Sequence, residues 1–220
     1  MIVTGFLAFV IVGPAMRIVA SGITDGLLWV YSHGGPLGGL IFGLLYSPIV
    51  VTGLHQSFPA IELPLINDVA TTGGSFIFPI ASMANVAQGA AALAVFFLVR
   101  DAKFRGLAGA SSASALFGIT EPAIYGVSLP RKRPLIIGCV AGAIGGGITG
   151  AMGVLVFGTG APGLLTLPIG IDPDGNTGNL IWLLVGTAVA FVLATVGTSF
   201  FGFSADDLAK DRAAAEAESD

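Results

Sequence analysis

The sequence predicts an all-α membrane protein of about five transmembrane helices and two re-entrant, cavity-lining segments, and three observations carry that prediction. Hydrophobic residues make up 54% of the chain and charged residues only 10%, where a soluble domain carries about 25%, and the mean hydropathy is +0.90. The basic residues of the chain's middle gather in two short clusters, Arg100, Lys103 and Arg105, then Arg131, Lys132 and Arg133. Finally, two irregular stretches place polar and ionisable groups among apolar ones. At membrane depth such backbone is tolerated only where it lies within protein or lines a cavity.

The remaining totals exclude more than they suggest. Cys139 is the single cysteine, so neither an internal disulfide nor a thiolate zinc site can form, and no metal site is expected. Much of the net charge of −4 comes from Asp206, Asp207, Asp211, Glu216, Glu218 and Asp220. Residues 204–220 therefore read as an acidic tail or linker, and no basic surface points to nucleic acid. Met1 leads straight into apolar residues with no basic n-region and no small-residue cleavage site. That is no cleavable signal, and the chain reads as the continuation of a longer one.

Short cytoplasmic loops are enriched in Lys and Arg, which orients the segments. Residues 1–16 are an apolar span, slightly short of the roughly 20 residues a crossing needs, ending at Arg17. Residues 18–35 mix Asp25, Trp29, Tyr31 and His33 with apolar positions and suit an interfacial helix. A Gly-rich span follows over 36–53. From Gly53 to about Gly74 the chain carries His55, Gln56 and Glu62, with Pro59 and Pro64, among large apolar residues. This is the first re-entrant segment. Residues 76–99 are a clear span, with Asn85 and Gln88 three apart on one face.

The second re-entrant segment follows from length. If both basic clusters lie in the cytoplasm, residues 106–130 enter the membrane and return, and these 25 residues fall well short of the roughly 40 that two crossings need. Small residues over 106–115 allow close helix approach. The tip lies near 118–122, and Pro122 is placed to start the returning arm, presenting the amides of a half-helix beside Thr120 and Glu121. Residues 134–157 cross outward with a glycine face at 138, 142, 145, 146, 147, 150 and 153. Residues 158–178 form an external loop without Lys or Arg, and 179–203 return, leaving the C-terminus cytoplasmic. Within the loop, Asp172-Pro173-Asp174-Gly175-Asn176 lacks the spaced ligands and terminal Glu of a calcium-binding loop, so it is a turn.

The chemistry concentrates in the two re-entrant segments. An ionisable side chain at membrane depth is a functional candidate by default, and Glu121 stands between Thr120 and Pro122 in such a place. Beside an imidazole, a carboxylate is suited to take a proton from a hydroxyl or simply to receive hydrogen bonds from it. Glu121 and His55 are the candidate catalytic pair; Thr120, Ile119, Gln56, Glu62, Asn85 and Gln88 are candidate substrate contacts. Bland roles compete: Glu121 as a helix cap, His55 as packing, Glu62 as a solvated acid, Asn85 and Gln88 as helix bridges. No Walker loop, nucleotide fingerprint or histidine pair spaced for metal is present.

At Gly118-Ile119-Thr120-Glu121-Pro122-Ala123-Ile124-Tyr125-Gly126-Val127, taken with Gly53-Leu54-His55, the chain resembles the membrane-embedded IIC domain of bacterial phosphoenolpyruvate-dependent sugar phosphotransferase systems. The branch is the glucose superfamily, which includes glucose, β-glucoside, sucrose and trehalose permeases. The run from Ser75 to Gly89 and Phe58-Pro59-Ala60-Ile61-Glu62 look most like the sucrose members. The resemblance covers residues 1–203 as the C-terminal, substrate-binding part of that domain.

It implies a multi-pass protein of the bacterial cytoplasmic membrane that binds a sugar near the midplane. Glu121 and His55 would contact its hydroxyls, with Glu121 at the 6-hydroxyl, and a phosphocysteine on a IIB domain would donate phosphoryl at the cytoplasmic side. No cofactor is implied, since the phosphoryl group comes from phosphoenolpyruvate through IIA and IIB. The implied further N-terminal spans would carry a homodimer interface, and without them and IIB the chain alone is expected to be inactive. Two rival readings are a secondary sugar transporter or facilitator, because re-entrant hairpins also serve ion coupling, and a truncated, non-transporting remnant.

Overall fold

In the computed structural model, residues 36–203 are described throughout, with isolated positions on either side. The first predicted span, the interfacial helix and the acidic tail lie outside the described residues, those isolated positions apart. What is described is helical, with one isolated bridge between Ser75 and Val156. Helix α1 covers Pro36–Thr52, a 3-10 turn covers Leu54–Ser57, and α2 covers Pro59–Asn67. A short turn at Val69–Thr72 leads to α3, Ile77–Leu98. Helix α4 is Ala102–Leu116, α5 is Arg133–Ala151 and α6 is Thr177–Phe201.

Helices α3, α5 and α6, with 22, 19 and 25 residues, are long and apolar enough to cross a membrane. At about 1.5 Å per residue they measure roughly 28 to 38 Å, against a hydrocarbon core of about 30 Å. Helix α1 qualifies only together with residues 54–67, from which it is bent by 103°. Among the described residues the chain thus has three spans, or four with the bent pair, in an all-α membrane fold.

Helix α3 is central, buried over most of its length, and α5 packs against α1, α3 and α6. The predicted glycine face makes that contact. A Cβ at Gly142 would lie 2.9 Å from the Cα of Ala84 on α3, and one at Gly43 would meet the carbonyl of Gly142 at 2.5 Å. No larger residue fits while the backbones stay this close.

Residues 102–131 form the hairpin expected from length. Helix α4, capped by Asp101 accepting from the Phe104 amide at 2.6 Å, is about 22 Å long and cannot cross. The chain turns at Gly118, φ +108°, where a Cβ would strike the carbonyl of Pro162 at 2.6 Å. It returns as a helical piece at Glu121–Ala123, a π turn at Ile124–Ser128 and a last turn at Leu129–Arg131. The returning arm is thus one short, continuous helical stretch over 121–131, as the sequence suggests, with a π turn inside it that the sequence does not announce. Pro130, which has no amide hydrogen to give the Gly126 carbonyl, directly follows the π turn.

Both ends of the hairpin lie together. The Arg131 guanidinium sits 3.8 Å from the ring centre of Phe104 and 5.5 Å from that of Phe203, and Arg133 donates to the Phe203 carbonyl at 3.3 Å. The two basic clusters and the end of α6 thus share one end of the molecule. The predicted external loop is less simple than its composition. It carries a short helix at Thr166–Ile169 and folds back onto the hairpin tip, where the Leu164 amide donates to the Leu116 carbonyl at 2.8 Å.

Candidate functional site

Three irregular pieces converge on one cavity of about 270 Å³: the 3-10 turn after α1, the hairpin tip, and residues 160–162 of the folded-back loop. The volume lies near the lower bound of ordinary small-molecule pockets, about 300 Å³. Left-handed Gly53, φ +78°, turns the chain at the end of α1 and aims His55 and Gln56 toward the tip. From the other side Glu121, the first residue of the returning arm, reaches back. His55 Nε2 and Glu121 Oε1 are 3.3 Å apart, across 66 residues of sequence.

Their surroundings differ in a useful way. The His55 side chain is 14% exposed and that of Glu121 37%, so the carboxylate faces the cavity while the ring is largely enclosed. His55 Nδ1 is buried without a partner among the described residues. Gln56 Nε2 lies 3.1 Å from the same ring nitrogen that faces Glu121. One nitrogen cannot accept from an amide and donate to a carboxylate at once. Both contacts are satisfied when Nε2 carries a hydrogen shared between Glu121 Oε1 and the Gln56 side-chain oxygen, with the Gln56 amide turned so that its oxygen faces the ring. The Glu121 carboxyl is thus held by one ring donor, its remaining lone pairs directed to whatever fills the cavity. Among the described residues the Glu121 side chain makes no capping bond to its own helix; Thr120 stands at the cap position and makes no side-chain capping bond.

Asn85 forms the polar back of the cavity. Its amide nitrogen donates to the Pro162 carbonyl at 3.2 Å, and its oxygen accepts from the Thr120 hydroxyl at 3.5 Å. Asn85 thereby joins α3, the hairpin tip and the returning loop. Ile119 supplies apolar lining. The structure thus brings together six of the eight predicted residues: His55, Gln56, Asn85, Ile119, Thr120 and Glu121.

The other two lie elsewhere. Glu62, on α2, is 2% exposed and off the cavity wall. Its Oε2 accepts from Ser75 Oγ at 2.7 Å, and its Oε1 has no partner among the described residues. Proline-rich α2 turns this side chain inward to the Ser75 bridge. Gln88, one helical turn below Asn85, is fully buried and joins three spans, donating to Ser47 Oγ and to the Leu135 carbonyl, both at 3.2 Å. It faces α1 and α5, where the glycine face leaves room for it.

Sequence reasoning missed Tyr46, Phe58, Phe78 and the 160–162 segment as lining. The Tyr46 and Phe58 rings stack at 5.8 Å, and Phe42 meets Phe58 edge-on at 5.7 Å, making an aromatic floor. Ala161, Pro162, Leu164 and Leu165 make this loop apolar for an irregular stretch, but it lacks the ionisable groups that mark residues 53–64 as re-entrant.

Fold and site together define a helical membrane protein whose polar cavity is built from re-entrant segments. A family model described as "Phosphotransferase system, EIIC" matches residues 1–143, and the chain belongs to that family. It is 45% identical, over 88% of its length and 41% of the relative's, to a protein of Pasteurella multocida (strain Pm70) named "PTS system sucrose-specific EIIBC component". Identity is 46% over 87% of the chain to a "PTS system sucrose-specific EIIBCA component" of Pediococcus pentosaceus, 29% of which is covered. It is 42% over 74% of the chain to a "PTS system trehalose-specific EIIBC component" of Bacillus subtilis (strain 168), 34% of which is covered. The chain thus spans less than half the length of these curated relatives. No solved structure matches it.

Proposed function

We propose that this chain is the sugar-binding part of a phosphotransferase permease, that it takes sucrose, and that it presents the sugar's 6-hydroxyl to a phosphorylated IIB domain. The observation that carries this reading is the meeting of His55 and Glu121 at 3.3 Å on the wall of a polar-lined cavity of about 270 Å³. The names of the relatives support the sugar and the IIB and IIA partners.

In this reading the His55 Nε2–H holds the Glu121 carboxylate as an acceptor, and the sugar's 6-hydroxyl donates to its free oxygen. As the hydroxyl oxygen attacks phosphorus, Glu121 receives the proton, the sulfur–phosphorus bond of the IIB phosphocysteine breaks, and the thiolate leaves. Thr120, Gln56 and Asn85 offer further hydrogen bonds, and the Tyr46–Phe58 floor offers apolar contact to the sugar ring. No cofactor takes part, because the phosphoryl group arrives on IIB and originates in phosphoenolpyruvate. The site works in the bacterial cytoplasmic membrane, with both basic clusters and the tail after residue 203 on the cytoplasmic side, and further N-terminal spans supply a homodimer interface.

The test is uptake of labelled sucrose into vesicles holding the full-length protein. Sucrose recovered inside as sucrose phosphate, only when phosphoenolpyruvate and the general phosphotransferases are supplied, is the expected result. Unmodified sucrose accumulating without them replaces this reading with a secondary transporter.

A further inference from the structure

The last carbonyls of a helix have no partner within it, and at membrane depth no water stands ready to replace one. Helix α1 ends in such a place, immediately before the turn that carries His55. Three of its last four carbonyls have identified partners. The Ile49 carbonyl accepts from the Thr52 hydroxyl at 2.7 Å, and the Val50 carbonyl from the Gly53 amide at 2.9 Å. The partner of the Val51 carbonyl comes from the hairpin: the Tyr125 hydroxyl donates to it at 2.9 Å and lies 3.4 Å from the Val50 carbonyl.

The spacing gives this contact a purpose. Tyr125 follows Glu121 by four residues, and Val51 precedes His55 by four. Two contacts therefore join the re-entrant segments, Glu121 to His55 at one point and Tyr125 to Val51 at the other. Between them Ile124 is buried in the apolar cluster that holds Phe42, Tyr46 and Phe58. Tyr125 sits in the π turn of the returning arm, where the helical register of the side chains changes. Such turns re-aim side chains at functional sites. The phenol hydroxyl ties this turn to the end of α1.

We propose that Tyr125 is a positioning residue: by holding the Val51 carbonyl, its hydroxyl keeps the His55 turn in register with Glu121. The functional consequence rests on the sugar phosphotransferase reading; the clamp itself does not. The variant is Tyr125→Phe in the full-length protein, which removes the hydroxyl and keeps the ring.

Two measurements decide it. Hydrogen exchange on the lipid-embedded protein is expected to speed up by about 10-fold over residues 53–58, while α5 is unchanged. For sucrose phosphorylation, kcat/KM is expected to fall about 10-fold in Tyr125→Phe and less than about 2-fold further when Tyr125→Phe is added to His55→Ala, because the hydroxyl acts through His55. Unchanged exchange over 53–58 overturns the proposal. So does an effect that multiplies fully with His55→Ala, which is the mark of a general structural role. If the wild-type protein phosphorylates no sugar, the functional reading has failed, and the exchange measurement alone decides the clamp.

Discussion

The helix bundle and the hairpin tip solve the same problem, polar groups at membrane depth, in opposite ways. In the bundle the backbones touch through glycine, and the hydroxyls of Thr149, Thr187 and Ser112 are spent on backbone carbonyls of their own or a neighbouring helix. At the tip the backbone is broken at Gly53 and Gly118, and Glu121 keeps a third of its side chain open to the cavity. The difference separates rigidity from reactivity. Groups satisfied inside the bundle fix the frame, and groups left partly unsatisfied at the tip are available to a ligand.

The sharpest way to break this distinction is Glu121→Gln. The amide keeps the shape and removes the proton acceptor, so phosphorylation of sucrose should fall by about 10² to 10⁴-fold, the range for loss of a general base. Membrane insertion and melting temperature should stay those of wild type. Turnover near wild type would show that the carboxylate only positions the hydroxyl. In the bundle the corresponding test is Gly186→Val on α6. Its Cβ would lie 2.8 Å from Thr149 Cγ2 and 3.1 Å from Met83 Sδ, so overpacking should destabilise the protein by about 1 to 3 kcal/mol. Thermal denaturation in detergent should move down, while kcat/KM per folded molecule holds. A loss of activity without a loss of stability would mean that bundle and tip are not separable.

His55→Ala lies between the two. It removes the donor that holds Glu121, and the KM for sucrose should rise by about 10-fold, or about 1.4 kcal/mol. Sugar binding measured without IIB, for example by calorimetry, checks it; unchanged affinity would return His55 to packing.

Much of the frame was legible because membrane geometry constrains it tightly. Two basic clusters 26 to 33 residues apart, with too little chain between them to cross twice, required a hairpin, and Arg131 stacked on Phe104 closes it. The glycine periodicity of 138–153 announced a close contact and makes one. The folding back of residues 160–164 was not legible, since it depends on the Leu164–Leu116 bond and on Ser82, which accepts from the Gly163 amide at 2.9 Å. Neither partner is distinguished in the sequence. The π turn was hidden for a similar reason: Pro130 disturbs the turn before it, but nothing within Ile124 to Ser128 marks a π turn rather than a kink. Glu62 shows the limit most clearly. A carboxylate aimed at a cavity and one turned inward to Ser75 produce the same signal, polarity in an apolar stretch.

Asn85 and Gln88 allow the smallest and most discriminating test, because one helix carries both and they point to different regions. Asn85 bonds to the hairpin tip and the returning loop, Gln88 to α1 and α5. Gln88→Met keeps the length and volume of the side chain. It gives up two bonds from Nε2 but also removes Oε1, which is buried without a partner among the described residues. Hydrogen bonds between membrane helices average about 0.6 kcal/mol, and burying an unmatched oxygen costs a comparable or larger amount, so the terms nearly cancel. Stability should change by less than about 1 kcal/mol, and KM for sucrose by less than about 2-fold. Asn85→Ala, by contrast, should raise KM severalfold with little change in melting temperature, since it unlinks Thr120 and Pro162 from α3. If both variants move KM alike, the boundary between frame and site does not run between these two residues, and α3 transmits strain along its length.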